Sequence, residues 1–165
     1  MRHAMETLLA AIVVPGIGAV FVPYLILQRT GGVRPATFTV VEAVAFALGI
    51  AGGSMALWVC LAFVRIGRGT PIPLDPPKRF VAVGLFRWVR NPMYLGVLMV
   101  IVAEAILFRS TWVLLYALAL WAGFHVFLVL LEEPQLARRF GRPYLDYRAR
   151  TPRWIPRPPR RPASG

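Results

Sequence analysis

Apolar residues in this chain come in long runs, not in alternation. Thr7–Leu27, Ala43–Val64 and Ser110–Leu131 carry no charge at all, and a fourth run, Asn91–Phe108, is broken only by Glu104. As helices, the first three are each long enough to cross a hydrocarbon core of ~30 Å. The fourth reaches that length by taking in the residues before Asn91. A backbone in lipid must satisfy its own hydrogen bonds, which leaves helices or closed barrels, and no segment alternates as a barrel strand does. The pattern predicts an all-α integral membrane protein with about four transmembrane helices, near 7–27, 43–64, 88–108 and 110–132.

The segments between the runs are punctuated by helix breakers. "RIGRGTPIPLDPPKRF" is rich in proline and glycine and reads as a connector too short to fold by itself. The first helix carries Pro15, Gly16, Gly18 and Pro23, which predict a kink or a close helix contact; "GIAGGSMA" in the second lets a neighbouring backbone approach. Pro92 suits the first turn of the third helix and Asn91 its N-cap. After Gly141, "RPYLDYRARTPRWIPR" is basic and aromatic, the composition of an amphipathic segment lying on a membrane surface. Residues 1–157 are expected to form one domain, and 158–165 a disordered, proline-rich tail.

Composition sharpens this reading. A hydrophobic content of 58% and a mean hydropathy of +0.62 exclude a soluble domain of this length. No small-x-small cleavage site follows "YLILQRTGG", so the first run is expected to stay as a helix and not to be removed as a signal peptide. The net charge of +12 is distributed unevenly. With four spans, Arg2, the connector residues Arg65, Arg68, Lys78, Arg79, Arg87 and Arg90, and nine arginines after Glu133 fall on one side. Arg29, Arg34 and Arg109 fall on the other. The positive-inside rule puts the basic side, with both termini, in the cytoplasm, and anionic lipid heads are its natural counter-charge. Eighteen arginines against one lysine suggest a bacterial, GC-rich source, hence the cytoplasmic (inner) membrane. The tail offers no folded domain to present its arginines to nucleic acid, so no nucleic-acid partner is expected. Cys60 is the single cysteine, which excludes an internal disulfide and leaves packing as its role.

The candidate chemistry gathers at one end of the third and fourth helices. Arg90, Asn91 and Tyr94 open the third; Glu132 and Glu133 close the fourth, with His125 seven residues before Glu132 and so on one face of a continuous helix. A short turn near Arg109–Ser110 makes the two helices antiparallel neighbours. A helix N-terminus flanked by arginines is an anion site, and carboxylates at a helix C-terminus oppose the macrodipole unless partnered. His125, Glu132 and Glu133 lack a convincing fourth ligand, so no metal is expected.

These residues also carry a resemblance. "RNPMYLG", then "EEP" some forty residues later, then "FGRPYLDY" and "PRWIP", resemble the integral-membrane methyltransferases, a superfamily that includes isoprenylcysteine carboxyl methyltransferases and phospholipid N-methyltransferases. The resemblance covers roughly residues 71–157, and Asn91, where the prenylcysteine branch usually has histidine, brings it closer to the phospholipid branch. It implies S-adenosylmethionine as cofactor, bound by Gly84, Arg90, Asn91, Pro92, Tyr94, Gly96, His125, Glu132 and Glu133, with Tyr144, Tyr147 and Arg153 toward substrate. His125, Glu132 and Arg153 are the catalytic candidates. The implied reaction is methyl transfer to a carboxylate, amine or thiol of an amphiphilic or lipid-like acceptor. Two other readings stand beside it: an NADPH-dependent membrane reductase of sterol-reductase type, and a non-catalytic membrane scaffold.

Overall fold

The computed structural model describes residues 16–31, 38–62 and 83–159, and every regular element among them is helical. Five helices follow in order: α1 (Ile17–Thr30), α2 (Val40–Ala62), α3 (Pro92–Leu107), α4 (Thr111–Phe140) and α5 (Arg142–Arg150). The expectations for residues 7–15, the greater part of the connector and the last six residues lie outside the described segments.

Two of the four anticipated spans, α2 and α4, are long and apolar enough to cross a membrane. Their apolar stretches are only 22% and 17% buried, the reverse of a core helix in a soluble protein. Trp112, Leu115, Leu118 and Trp121 along α4 face outward, as do Val44, Phe46, Ile50 and Leu57 along α2. α1 and α3 are shorter apolar helices. The third helix begins at Pro92 and not near residue 88, because residues 84–87 form a 3₁₀ turn and Pro92 supplies the fixed φ of a first turn. The fourth runs past residue 132 to Phe140.

Two prolines set the local geometry of α1 and α4. A proline inside a helix has no N–H for the carbonyl four residues back, and its ring crowds that carbonyl. Pro23 would face Ala19, and Pro134 would face Leu130. In both places the preceding turn is wider: Ile17–Phe21 and Leu128–Glu132 are π-helical, with Val22 N–H bonding Ile17 O and Glu133 N–H bonding Leu128 O. The proline irregularity expected in the first helix is thus a π turn, and α4 carries a second one just before its carboxylates.

α3 is the element against which the others pack. α2 lies against it most closely at Gly52 and Gly96, where a Cβ on either would lie 2.6 Å from the carbonyl oxygen of the other. On its other side Val97, Ile101 and Ala105 pack with Val113 and Ala117 of α4 and Ala19 of α1. The end of the bundle remote from the paired glutamates is tied by Glu42. Thr39 precedes α2, and its backbone N–H donates to Glu42 Oε2 at 3.0 Å in a capping-box arrangement, joined by the Thr39 hydroxyl. Glu42 Oε1 accepts from Arg109 at 3.1 Å, linking α2 to the α3–α4 turn. Arg109 holds a left-handed backbone, φ 48°, and Ser110 caps α4 by accepting from Val113 N–H.

The glycine contact makes a testable prediction. Gly52→Ala or Gly96→Ala should destabilise the detergent-purified protein by about 1–3 kcal/mol, since backbone must move to admit the methyl group. Gly53→Ala, with open space around it, should instead stabilise by about 0.5–1 kcal/mol through helix propensity. Denaturant titrations of the three variants check this, and equal effects would remove the close contact from the account.

Candidate active site

The approach to α3 is folded onto α2 before the helix starts. Gly84 opens the 3₁₀ turn with φ 54°, and a Cβ there would lie 2.2 Å from the Trp58 ring of α2, so glycine is required both by backbone and by space. Phe86 and Val59 form a small core beneath it with Trp58 and Met93 packed against them. The Phe86 carbonyl accepts from the Tyr147 hydroxyl at 2.7 Å, fastening α5 to this turn. Asn91 occupies the N-cap position of α3, but its side chain makes no capping bond. Its amide donates at 3.3 Å to the Arg153 carbonyl.

The π turn in α4 governs where the carboxylates go. A wider turn rotates everything beyond it about the helix axis, so the seven-residue spacing of His125 and Glu132 does not place them on one face as in a continuous α-helix. Glu132 Oε2 accepts from the Tyr94 hydroxyl at 2.9 Å. Glu133 is 6% exposed and takes two arginines. Arg90 Nη1 lies 2.7 Å from Oε1, and Arg153 grips both oxygens, Nε at 2.7 Å and Nη2 at 3.0 Å. The second of these is the bidentate fork that guanidinium geometry favours. Arg90 Nε is buried with no hydrogen-bond partner.

The residues after α5 form a strap across this end of the bundle. Arg90 N–H donates to the Pro152 carbonyl at 2.9 Å and Arg157 N–H to the Trp88 carbonyl at 3.0 Å, so 152–157 runs beside 88–91. Trp154 reaches α4 and donates its indole N–H to His125 Nδ1 at 3.1 Å. Rings line the same region: Tyr94 and Phe124 have centroids 4.6 Å apart, and His125 stands 5.7 Å from Trp121 and 6.4 Å from Trp154.

Two guanidiniums share one carboxylate, so the cluster keeps a net positive charge. The bond to Glu133 pushes the Arg153 guanidinium further up from its already high range. Burial pushes the phenols of Tyr144 and Tyr147 up, in both cases outweighing the arginine Arg90 nearby. Both tyrosines are therefore neutral donors, with Tyr144 packed beneath the cluster at 3% exposure.

Of the residues singled out in the sequence, Arg90, Tyr94, Glu132, Glu133 and Arg153 come together directly, and Asn91 joins through the strap backbone. His125 is reached through Trp154. Pro92 is buried as the helix start. Gly84 and Gly96 face α2, where their small size serves helix contact, so neither lies among the charged groups. Among the described residues no group of three metal-ligating side chains forms. Sequence reasoning missed Phe124, the Trp58–Gly84 contact and the pairing of 152–157 with 88–91. The prolines of "TPRWIPRP" were the available signal for the last, since they exclude a helix and leave an extended strand to pair.

A polar, ion-paired cluster closes one end of a bundle whose apolar helices face outward, the arrangement of a membrane-associated helical protein. The family is given by comparison: the sequence model for phospholipid methyltransferases matches residues 40–143, more than half of the chain. The chain belongs to the phospholipid methyltransferase family, whose activity class is membrane methyl transfer. Comparison with curated proteins finds no match.

Glu133→Gln should destabilise the protein by about 3–5 kcal/mol, because it leaves two largely buried guanidiniums without a counter-charge. Urea titration in detergent measures it. A loss below about 1 kcal/mol, the level of an exposed ion pair, would mean that the cluster is solvated.

Proposed function

We propose that this protein transfers a methyl group from S-adenosylmethionine to the polar head of an amphiphilic acceptor at the cytoplasmic face of a bacterial inner membrane. In this reading α1 to α4 all span the bilayer and both termini lie inside. Residues 1–157 act as one domain. The surplus of basic residues around the site, with the positive-inside rule, supports the orientation. The observation that carries the proposal is the cluster of Arg90, Arg153 and Glu133, in which Arg90 Nε is buried without a hydrogen-bond partner, together with the Tyr94–Glu132 bond and the Tyr94–Phe124 rings at the same end of the bundle.

The donor set fits the cofactor. Arg90 Nε, a buried donor in a net positive cluster, suits a carboxylate. Glu132 is held at Oε2 by Tyr94, which leaves Oε1 for an ammonium or ribose hydroxyl. The π faces of Tyr94 and Phe124 suit an adenine ring and a sulfonium charge. When bound, the cofactor supplies an electrophilic methyl group. The chain's own contribution is alignment, which is worth as much as ~7–11 kcal/mol in well-oriented reactions. A carboxylate or thiolate acceptor needs no base. An ammonium head must lose a proton before it attacks, which calls for a base other than the Glu132 oxygen engaged by the cofactor.

Calorimetry of the detergent-purified protein with S-adenosylmethionine, S-adenosylhomocysteine and NADPH tests this reading. The first two should bind and NADPH should not; NADPH binding alone would point to a reductase, and no binding to a scaffold. Glu132→Gln should weaken S-adenosylmethionine binding by about 1–3 kcal/mol, the cost of a charge-assisted hydrogen bond. Arg90→Lys should also weaken it, since lysine loses the planar fork. Wild-type affinity in both variants would remove these residues from the pocket.

The acceptor is expected to enter sideways from lipid, since the cluster lies at the ends of apolar helices, which in this reading puts it at headgroup depth. A lipid-tailed acceptor should outperform its free head group in kcat as well as KM, because tail binding aligns the head. Deleting the chain from Arg142 onward should abolish turnover, and deleting from Pro158 should leave it intact. Equal kcat for the free head group in assays with mixed micelles would rule out lateral entry.

A further inference from the structure

The Trp154–His125 hydrogen bond fixes more than the position of the strap. An indole is a donor only, so at 3.1 Å from Trp154 Nε1 the Nδ1 of His125 has to offer a lone pair. A neutral imidazole has one proton, and in His125 that proton is then on Nε2. The direction of the bond follows from the chemistry of the two rings.

The placement of the strap on α4 gives this bond its consequence. Trp154 binds His125, which precedes the π turn Leu128–Glu132; the adjacent Arg153 binds Glu133, which follows it. Two neighbouring strap residues thus straddle the turn that aims Glu132 and Glu133 into the site. The same stretch of strap is fastened to the start of α3 through Pro152 O and Arg153 O. The π turn and the strap therefore hold one another.

We propose that Trp154 is a positioning residue that locks His125 as the Nε2–H tautomer and pins the strap across the π turn, a latch that an imidazole carrying its proton on Nδ1 could not accept. While the latch is closed, Nδ1 is engaged and Nε2 is protonated, which withdraws His125 from the role of proton acceptor. The groups around the ring are Trp121 on its own helix, Trp154 on the strap and, through the neighbouring Phe124, Tyr94 of α3. The charged groups of the same region, Glu132, Glu133 and Arg153, are bound to Tyr94 or to one another. The importance of the latch to turnover rests on the methyltransferase reading; the tautomer and the strap contact do not.

The test is nitrogen NMR of the full chain in detergent, labelled at histidine. The chain has two histidines, so a His3→Gln background leaves one imidazole to observe. At pH 8, Nδ1 should resonate as the unprotonated nitrogen and Nε2 as the protonated one. Trp154→Phe, which keeps an aromatic ring and loses the donor, should relax the locked tautomer toward the mixture of a free imidazole, in which Nε2–H is favoured but not exclusive. It should also lower hydrogen-exchange protection of the strap amide of Arg157 several-fold. His125→Gln offers a carbonyl to the indole in place of Nδ1 and should keep the strap protected.

An Nδ1–H tautomer in wild type, unchanged protection in Trp154→Phe, or loss of strap protection in His125→Gln would each overturn the latch. S-adenosylmethionine binding in calorimetry alongside any of these results would leave the methyltransferase reading standing. A locked tautomer in a protein that binds no S-adenosylmethionine would do the reverse.

Discussion

The carboxylate of Glu133 is the group on which this architecture turns. It is nearly buried, and a charge in that setting is tolerated only with close, well-directed partners. Arg90 and Arg153 provide them, and they come from segments 43 and 20 residues away in sequence. One atom group thereby joins the start of α3, the late part of α4 and the strap. Removing the carboxylate exposes two guanidiniums to each other; removing either arginine loosens one of the three segments.

For Glu133 to reach that position, α4 has to turn out of its ordinary register, and Pro134 enforces this. A straight α-helix would direct residues 132 and 133 elsewhere around the axis, whereas the π turn swings Glu132 to Tyr94 and Glu133 to the arginines. The close approach of α2 at Gly52 and Gly96 fixes α3 from the opposite side, and Gly84 lets the approach segment lie on Trp58. Proline and glycine here act in complementary ways, the first by denying a hydrogen bond and the second by denying bulk. The bundle is tied again at its far end by Glu42 and Arg109, so α3 is held at both termini.

Chemically, the centre pairs surplus positive charge with a separate carboxylate that has a phenol at one oxygen. That separation matters for a zwitterionic ligand, whose opposite charges need different partners a short distance apart. A centre with one arginine balanced by one glutamate would offer neither. The aromatic rings around it supply faces that tolerate both a base and a cation. The family match accounts for why this set of side chains sits in a membrane bundle, and the geometry indicates which of them meet.

Much of this was legible in the chain. Charge-free runs of helical length specified a helical membrane protein, because lipid admits few other backbones. The motif residues Arg90, Tyr94, Glu132 and Glu133 stood out as polar groups at the ends of apolar runs, and their order resembled the family to which the chain belongs. Pairings were not legible. Glu133 choosing two arginines, Asn91 turning from its cap to the strap, Gly96 serving α2 and Trp154 meeting His125 all depend on contacts between residues distant in sequence. Local patterns report what a segment must do with its own backbone and with solvent. Which side chains neutralise one another depends on how helices are rotated and offset in space, and the π turn, the glycine contact and the strap decided that only in the folded chain.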